Sequence, residues 1–119
     1  MNQQTCIFCK IIKGQLPSTV IAENDSIVVI KDRYPRAPIH YLILPKKHVV
    51  CVSDLQVSDA SLAWELFSMA QTLAKKLPGS QAFNLIINNG AEAGQSVPHL
   101  HMHFLAQKNI YDAGGLTSL

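Results

Sequence analysis

Pro98-His99-Leu100-His101-Met102-His103-Phe104-Leu105 alternates imidazole and apolar side chains. In an extended strand, successive side chains point to opposite faces, so His99, His101 and His103 are predicted to share one face at steps of roughly 7 Å. A His-x-His alternation also arises on a solvated strand or in a structural metal site. Here, however, three of the chain's five histidines fall in one row, and the loop Gly94-Gln95-Ser96-Val97 delivers them. That favours chemistry. Near neutral pH imidazole acts as nucleophile, general acid or base, phosphate partner or metal ligand, and a row of three can wrap a phosphate.

The rest of the chain bounds what can surround this row. A length of 119 residues with 48% hydrophobic content predicts one domain spanning 1–119, with a core that needs no disulfide support. No apolar run reaches the roughly 18 residues that span a bilayer, and Met1-Asn2-Gln3-Gln4 lacks the basic start of a signal peptide. A cytoplasmic protein without a membrane partner is expected. Net charge is +2, and apart from Lys46-Lys47 and Lys75-Lys76 the cations are scattered. A broad cationic face for nucleic acid is therefore not expected.

Val20-Ile21-Ala22 and Ile27-Val28-Val29-Ile30 read as strands joined by the turn-prone Asn24-Asp25-Ser26. Tyr41-Leu42-Ile43-Leu44 follows as a third strand, stopped by Pro45, which has no N–H for a ladder. From an N-cap at Ser58 or Asp59, the residues Leu62, Leu66, Met69, Leu73 and Leu77 recur at spacings of four and three, the stripe of an amphipathic helix, ended by Pro78-Gly79. The stripe, Met69 included, reads as core packing. Residues 83–88 and the histidine row read as a second antiparallel pair bracketing the loop over 89–97. The fold class predicted is α+β.

The His-apolar-His-apolar-His-apolar-apolar row resembles the signature of the histidine triad nucleotide-binding superfamily, and Gly94-Gln95-Ser96-Val97 before it is similar to the Hint branch. The likeness covers nearly the whole chain. It includes Ile7-Phe8-Cys9-Lys10-Ile11-Ile12, the stretch from Asp32 through Pro35-Arg36-Ala37-Pro38-Ile39-His40, and Leu44-Pro45-Lys46-Lys47-His48. The resemblance implies an antiparallel sheet of about five strands with one long helix and a short N-terminal helix. It also implies a homodimer in which the sheet continues across the two-fold axis. Trp64 and Phe67, lying off the main helix stripe, add apolar surface that suits such pairing.

Three cysteines in a chain without an export signal argue for thiol or metal chemistry over a disulfide framework. Cys6-x-x-Cys9 presents two sulfurs to one ion, although redox pairs share the pattern, and Zn²⁺ would need two further ligands such as imidazoles. Similarity to zinc-binding triad proteins implies Cys6, Cys9, His48 and His99 as that set, holding a structural Zn²⁺. Four protein ligands leave no open position for a hydrolytic water. Cys51, flanked by Val49, Val50 and Val52, reads as a small buried side chain outside the site.

Beside such a metal, the triad's roles divide. His101 has a neighbour on each side to orient it, and the resemblance makes it the nucleophile that attacks the α-phosphate of a purine nucleotide, AMP- or GMP-like, through a covalent nucleotidyl-histidine. The carbonyl of His99 is implied as the group that fixes its tautomer. Protonated His103 is expected to clamp the phosphoryl oxygens. Ser96 matches a serine near the leaving-group atom, which favours P–N cleavage. Asn88, Gln95 and Val97 are implied beside the phosphate, Ile7, Phe8, Ile11 and Ile30 as the base slot, and Asp32 as the ribose anchor. The implied activity is a nucleoside phosphoramidase. Ala106-Gln107 replaces the Gly-Gly usual in the Hint branch, the tail over 110–119 matches no tail of the family, and Pro98 is similar to the dinucleoside polyphosphate hydrolase branch. That hydrolase is one alternative, and a non-catalytic nucleotide-binding interaction module is the other.

Overall fold

The computed structural model describes residues 3–112 and 119; the tail positions 113–118 lie outside them. A short helix, α1 (Ile7–Ile12), opens the described chain. Cys6 caps it in extended conformation, its Sγ accepting from the Cys9 N–H at 3.4 Å. Gly14, at φ +75°, closes it: Gly14 N–H donates to the Ile11 carbonyl and Gln15 N–H to that of Lys10, the paired bonds of a Schellman stop that favours glycine.

Five strands follow: β1 (Val20–Glu23), β2 (Ile27–Lys31), β3 (Ile39–Pro45), β4 (Phe83–Ile86) and β5 (Met102–Ala106), all antiparallel in the order β1-β2-β3-β5-β4. The β1–β2 turn forms as its sequence predicts, with Asn24 Oδ1 accepting from the N–H groups of Ser26 and Ile27 at 2.9 and 2.8 Å. Pro45 ends β3 opposite Ile27, at a strand end where its missing N–H breaks no interior ladder.

The long helix α2 (Ala60–Lys75) buries Leu66, Met69, Ala70, Leu73 and Ala74 against Ile27, Val29, Ile43, Met102 and Phe104 on one sheet face. Each large apolar side chain so buried contributes about 2 kcal/mol. The other sheet face, carrying Val28, Ile30, Leu42 and Leu44, is covered by Cys6, Phe8 and Cys9. The sheet thus lies between two layers, and the functional side chains sit on the α1 side.

Three expectations are corrected. The histidine row is not one continuous strand: β5 starts only at Met102, and His99 lies in a bend where its N–H donates to the Val97 carbonyl at 2.8 Å. Pro98 supplies no N–H there, and Leu100 N–H is taken by the Val49 carbonyl at 2.6 Å. With no partner strand beyond the Ile86–His103 pair, β4 ends at Ile86, so Ile87 and Asn88 fall outside it. At the start of α2, Asp59 occupies the cap position without bonding the helix, because its carboxylate accepts from Lys47 Nζ at 2.6 Å and from Gln56 N–H at 3.0 Å.

Candidate functional site

The bend at His99 draws it towards the N-terminus. The Sγ atoms of Cys6 and Cys9 and the Nδ1 atoms of His48 and His99 lie close together: Cys6 to His99 is 3.4 Å, Cys9 to His48 3.2 Å and Cys9 to His99 3.5 Å. All four ligand atoms fall within 4.8 Å of one another. Zn–S of about 2.3 Å and Zn–N of about 2.0–2.1 Å at tetrahedral angles separate sulfur from nitrogen by roughly 3.6 Å. The donor set therefore matches a tetrahedral ion in both chemistry and spacing. Cys6, Cys9 and His99 are buried and His48 half-buried. His99 Nε2 donates to the Pro45 carbonyl at 2.8 Å, which leaves the Nδ1 lone pair facing the sulfurs, the tautomer a ligand needs. Nε2 of His48 is buried without such a partner among the described residues. Burial, and then Cys6, push the Cys9 thiol up to about 11, and burial pushes His99 down to about 4.

The same His99 reaches the middle of the triad through its main chain. His101 Nδ1 donates to the His99 carbonyl at 2.7 Å, so its Nε2 carries the lone pair. The His101 ring packs edge-on against Phe8, 5.1 Å between centroids, and lies 5.2 Å from that of His103. Burial holds His101 below the ordinary histidine value and thus unprotonated at neutral pH. A buried imidazole with one nitrogen tied to a carbonyl and the other unprotonated is equipped to attack an electrophile.

His103 differs from its expected protonated state. Burial first, then the neighbouring His101, His40 and Arg36, push it down to about 3, so it is neutral at pH 7. Its Nδ1 lies 2.9 Å from His40 Nε2, and its own Nε2 is buried without a partner among the described residues. Nε2 can still donate to an oxyanion without a formal charge. His40 went unassigned in the sequence. Period-two alternation sets it on the face of Leu42, which pairs with His103, so the signal becomes readable only once strand pairing is known. His40 Nε2 also lies 3.3 Å from Asp32 Oδ2, whose partner oxygen accepts from Tyr34 N–H at 2.8 Å.

Because His103 is neutral folded and titrates near 6.5 unfolded, the unfolded chain binds the extra proton between those values. Its contribution to stability is complete above pH 6.5 and falls as acid is added, by about 1.4 kcal/mol per pH unit. Urea midpoints between pH 7 and 4 are expected to fall less steeply for His103→Gln than for the wild type. Parallel curves would remove His103 from the titration.

Of the remaining predicted residues, Phe8 alone has a ring contact with His101. Phe8 on α1 and Ile30 on β2 are buried in one cluster, Ile11 and Val97 pack against it, and Ile7 is exposed. Asn88 lies against Gly94, where a Cβ would meet its Nδ2 at 3.6 Å, and Gly94 holds φ +96°. Ser96 is exposed at the end of the loop. Gln95 braces that loop: its Oε1 accepts from Gly90 N–H at 2.8 Å, and its Nε2 donates to the carbonyls of Val50 and Val97 at 2.6 and 3.0 Å. That leaves its amide committed to shaping the loop. Cys51 is half-buried, not buried as its apolar neighbours predict, its Sγ lying 3.6 Å from Asp54 Oδ2, and it stands apart from both clusters. Among the described residues, no helix is long and apolar enough to cross a membrane.

Residues 5–115 match the family described as "Scavenger mRNA decapping enzyme C-term binding". An "Uncharacterized HIT-like protein" of Chlamydia muridarum is 43% identical over 104 residues, 87% of this chain and 82% of its own. A HIT family hydrolase from Legionella pneumophila is similar in structure, with a TM-score of 0.86, 34% identity, and coverage of 93% of this chain and 100% of its own. A Zn-bound histidine triad family protein from Mycobacterium smegmatis superposes with a TM-score of 0.77 at 27% identity, covering 93% of this chain and 81% of its own.

Proposed function

The chain belongs to the histidine triad superfamily, and from that premise we propose that it is a cytoplasmic, Hint-like nucleotidyl hydrolase whose single domain spans 1–119 and cleaves purine nucleoside 5′-phosphoramidates. One observation carries the reading: His101 Nδ1 is tied to the His99 carbonyl at 2.7 Å, leaving Nε2 unprotonated beside the unpartnered Nε2 of His103. His101 Nε2 attacks the α-phosphorus, and the P–N bond breaks as the amine leaves with a proton supplied at Ser96. Water then cleaves the phosphorus–Nε2 bond, its released proton returning to Ser96 as the nucleoside monophosphate leaves and His101 is restored. His103 Nε2–H and the N–H groups of Ser96 and Val97 hold the phosphoryl oxygens, those of Gly94 and Gln95 being donated to the Ala91 and Gly90 carbonyls within the loop, with Asn88 beside them. Ile7, Phe8, Ile11 and Ile30 form the base slot, and Asp32 receives the ribose hydroxyls.

Cys6, Cys9, His48 and His99 would hold Zn²⁺ as a structural ion; with four protein ligands it supplies rigidity and no activated water. The Zn-bound relative and the sulfur–nitrogen spacing here support that assignment. Two copies pair through α2, where Trp64 is 60% and Phe67 49% exposed, with the sheet continuing between them at its β4 edge.

Adenosine 5′-phosphoramidate and diadenosine tetraphosphate, offered separately at equal concentration, decide among the readings. Faster turnover of the phosphoramidate, with nucleotidyl-histidine recovered from quenched reactions, is the expected result. Preference for the tetraphosphate would instead favour the branch with proline before its triad, and no turnover of either would leave a binding module. Sedimentation of the same sample at twice the chain mass of 13.1 kDa is expected; a single-chain mass would end the dimer proposal.

A further inference from the structure

Asp32, His40 and His103 bring three ligand atoms within 4.8 Å of one another outside the Cys/His cluster. A metal fits them poorly. The Arg36 backbone N–H donates to His40 Nδ1 at 3.0 Å, so the one proton of neutral His40 resides on Nε2. Ligation through Nε2 would strip that proton, whereas metal-bound imidazoles keep an N–H on the other nitrogen to donate. The cluster instead shares a proton. His40 Nε2–H faces two acceptors, His103 Nδ1 at 2.9 Å and Asp32 Oδ2 at 3.3 Å.

The two choices have different consequences for His103. When His40 donates to His103 Nδ1, that nitrogen must be the acceptor, and the proton of His103 is placed on Nε2. Nε2 is the buried, unpartnered nitrogen. When Asp32 draws the His40 proton, His103 Nδ1 loses its donor and lies 4.0 Å from Asp32 Oδ2, so the His103 proton is no longer held on Nε2. Tyr34 N–H donates to Asp32 Oδ1 at 2.8 Å, and Oδ2, 3.3 Å from His40 Nε2, is the oxygen that competes for the His40 proton.

We propose that ribose hydroxyls binding at Asp32 release the His40 proton to His103 Nδ1 and so place a hydrogen-bond donor on His103 Nε2, making His40 a positioning residue through which sugar recognition acts on the phosphoryl step. This rests on the nucleotide-hydrolase reading above for its substrate. A ribose without hydroxyls leaves the Asp32 pull intact and the Nε2 donor only partly formed. Sugar identity therefore enters kcat as well as KM. One competing hydrogen bond is worth roughly a twofold to tenfold change in rate.

Nitrogen-15 spectra of the histidine-labelled protein read the proton placement without turnover. Saturated with AMP, His103 is expected to show an unprotonated Nδ1 and a protonated Nε2; with 2′,3′-dideoxy-AMP it keeps the averaged pattern of the free protein. Identical His103 spectra with the two nucleotides overturn the proposal. In kinetics, the wild type is expected to lose roughly twofold to tenfold in kcat when the ribose hydroxyls are removed. His40→Gln carries two amide protons and can serve both acceptors at once, so whatever its kcat, that kcat should no longer depend on the ribose hydroxyls, with the KM effect retained. A kcat dependence on the hydroxyls that survives in His40→Gln also overturns the proposal. AMP-specific proton placement in a protein that hydrolyses no phosphoramidate would uphold the coupling and defeat the hydrolase reading alone.

Discussion

Replacing His101 by alanine is expected to lower kcat for adenosine 5′-phosphoramidate by a factor on the order of 10⁴ or more, the scale seen when a covalent nucleophile is removed from a preorganised site. No neighbour can substitute for it. His103 Nδ1 is engaged by His40 at 2.9 Å, and the Nδ1 of His99 faces the two sulfurs. The variant should still fold, because His101 precedes β5 and its side chain is tied by a hydrogen bond to the His99 carbonyl two residues away. An unmatched carbonyl there costs about 1–3 kcal/mol, a fraction of ordinary domain stability. Thermal unfolding should therefore remain cooperative while the nucleotidyl-histidine disappears. Imidazole added to His101→Gly is expected to restore part of the rate, since the cavity beside Phe8 admits a free ring. Turnover within tenfold of the wild type would remove His101 from the covalent step.

Local patterns carried much of the fold into view. Asn24-Asp25-Ser26 marks the β1–β2 turn because an Asn side chain can satisfy two backbone N–H groups without any distant partner. Leu66, Met69 and Leu73 mark α2 because burial demands one apolar face. What stayed hidden depends on contacts between remote segments. Alternation alone makes 98–105 a single strand, yet His99 bends away since its two nitrogens find Pro45 and the Cys6-Cys9 pair, 54 and up to 93 residues distant. Asp59 carries the composition of a helix cap, but Lys47 offers its carboxylate a charged donor that outweighs a neutral helix N–H. Lys47 also holds the Asp59 carboxyl below the usual range. His103 reads as a cation only until its burial is known. His40 is silent until β3 is set beside β5.

The metal cluster yields the other large effect. Two buried thiols side by side gain little as free acids: burial and Cys6 together raise Cys9 to about 11, so at neutral pH it stays protonated unless a cation compensates the thiolate. A divalent ion displaces that proton, and binding free energy of roughly 10–16 kcal/mol in small four-ligand zinc sites becomes folding free energy. Purified wild-type protein is therefore expected to hold one Zn²⁺ per chain, and Cys6→Ser to lose it. Strong chelation should lower the wild-type unfolding midpoint to that of Cys6→Ser and leave the variant where it was, because only the native site links metal to folding. Cys51→Ser, which removes a thiol outside the cluster, should match the wild type in both metal content and midpoint. Activity should follow the metal too, since the residue that offers Nδ1 to the cluster offers its carbonyl to His101 at 2.7 Å. A metal-free wild type whose midpoint ignores chelation would show instead that hydrogen bonds among Cys6, Cys9, His48 and His99 suffice to hold the bend, and that His101 is oriented without an ion.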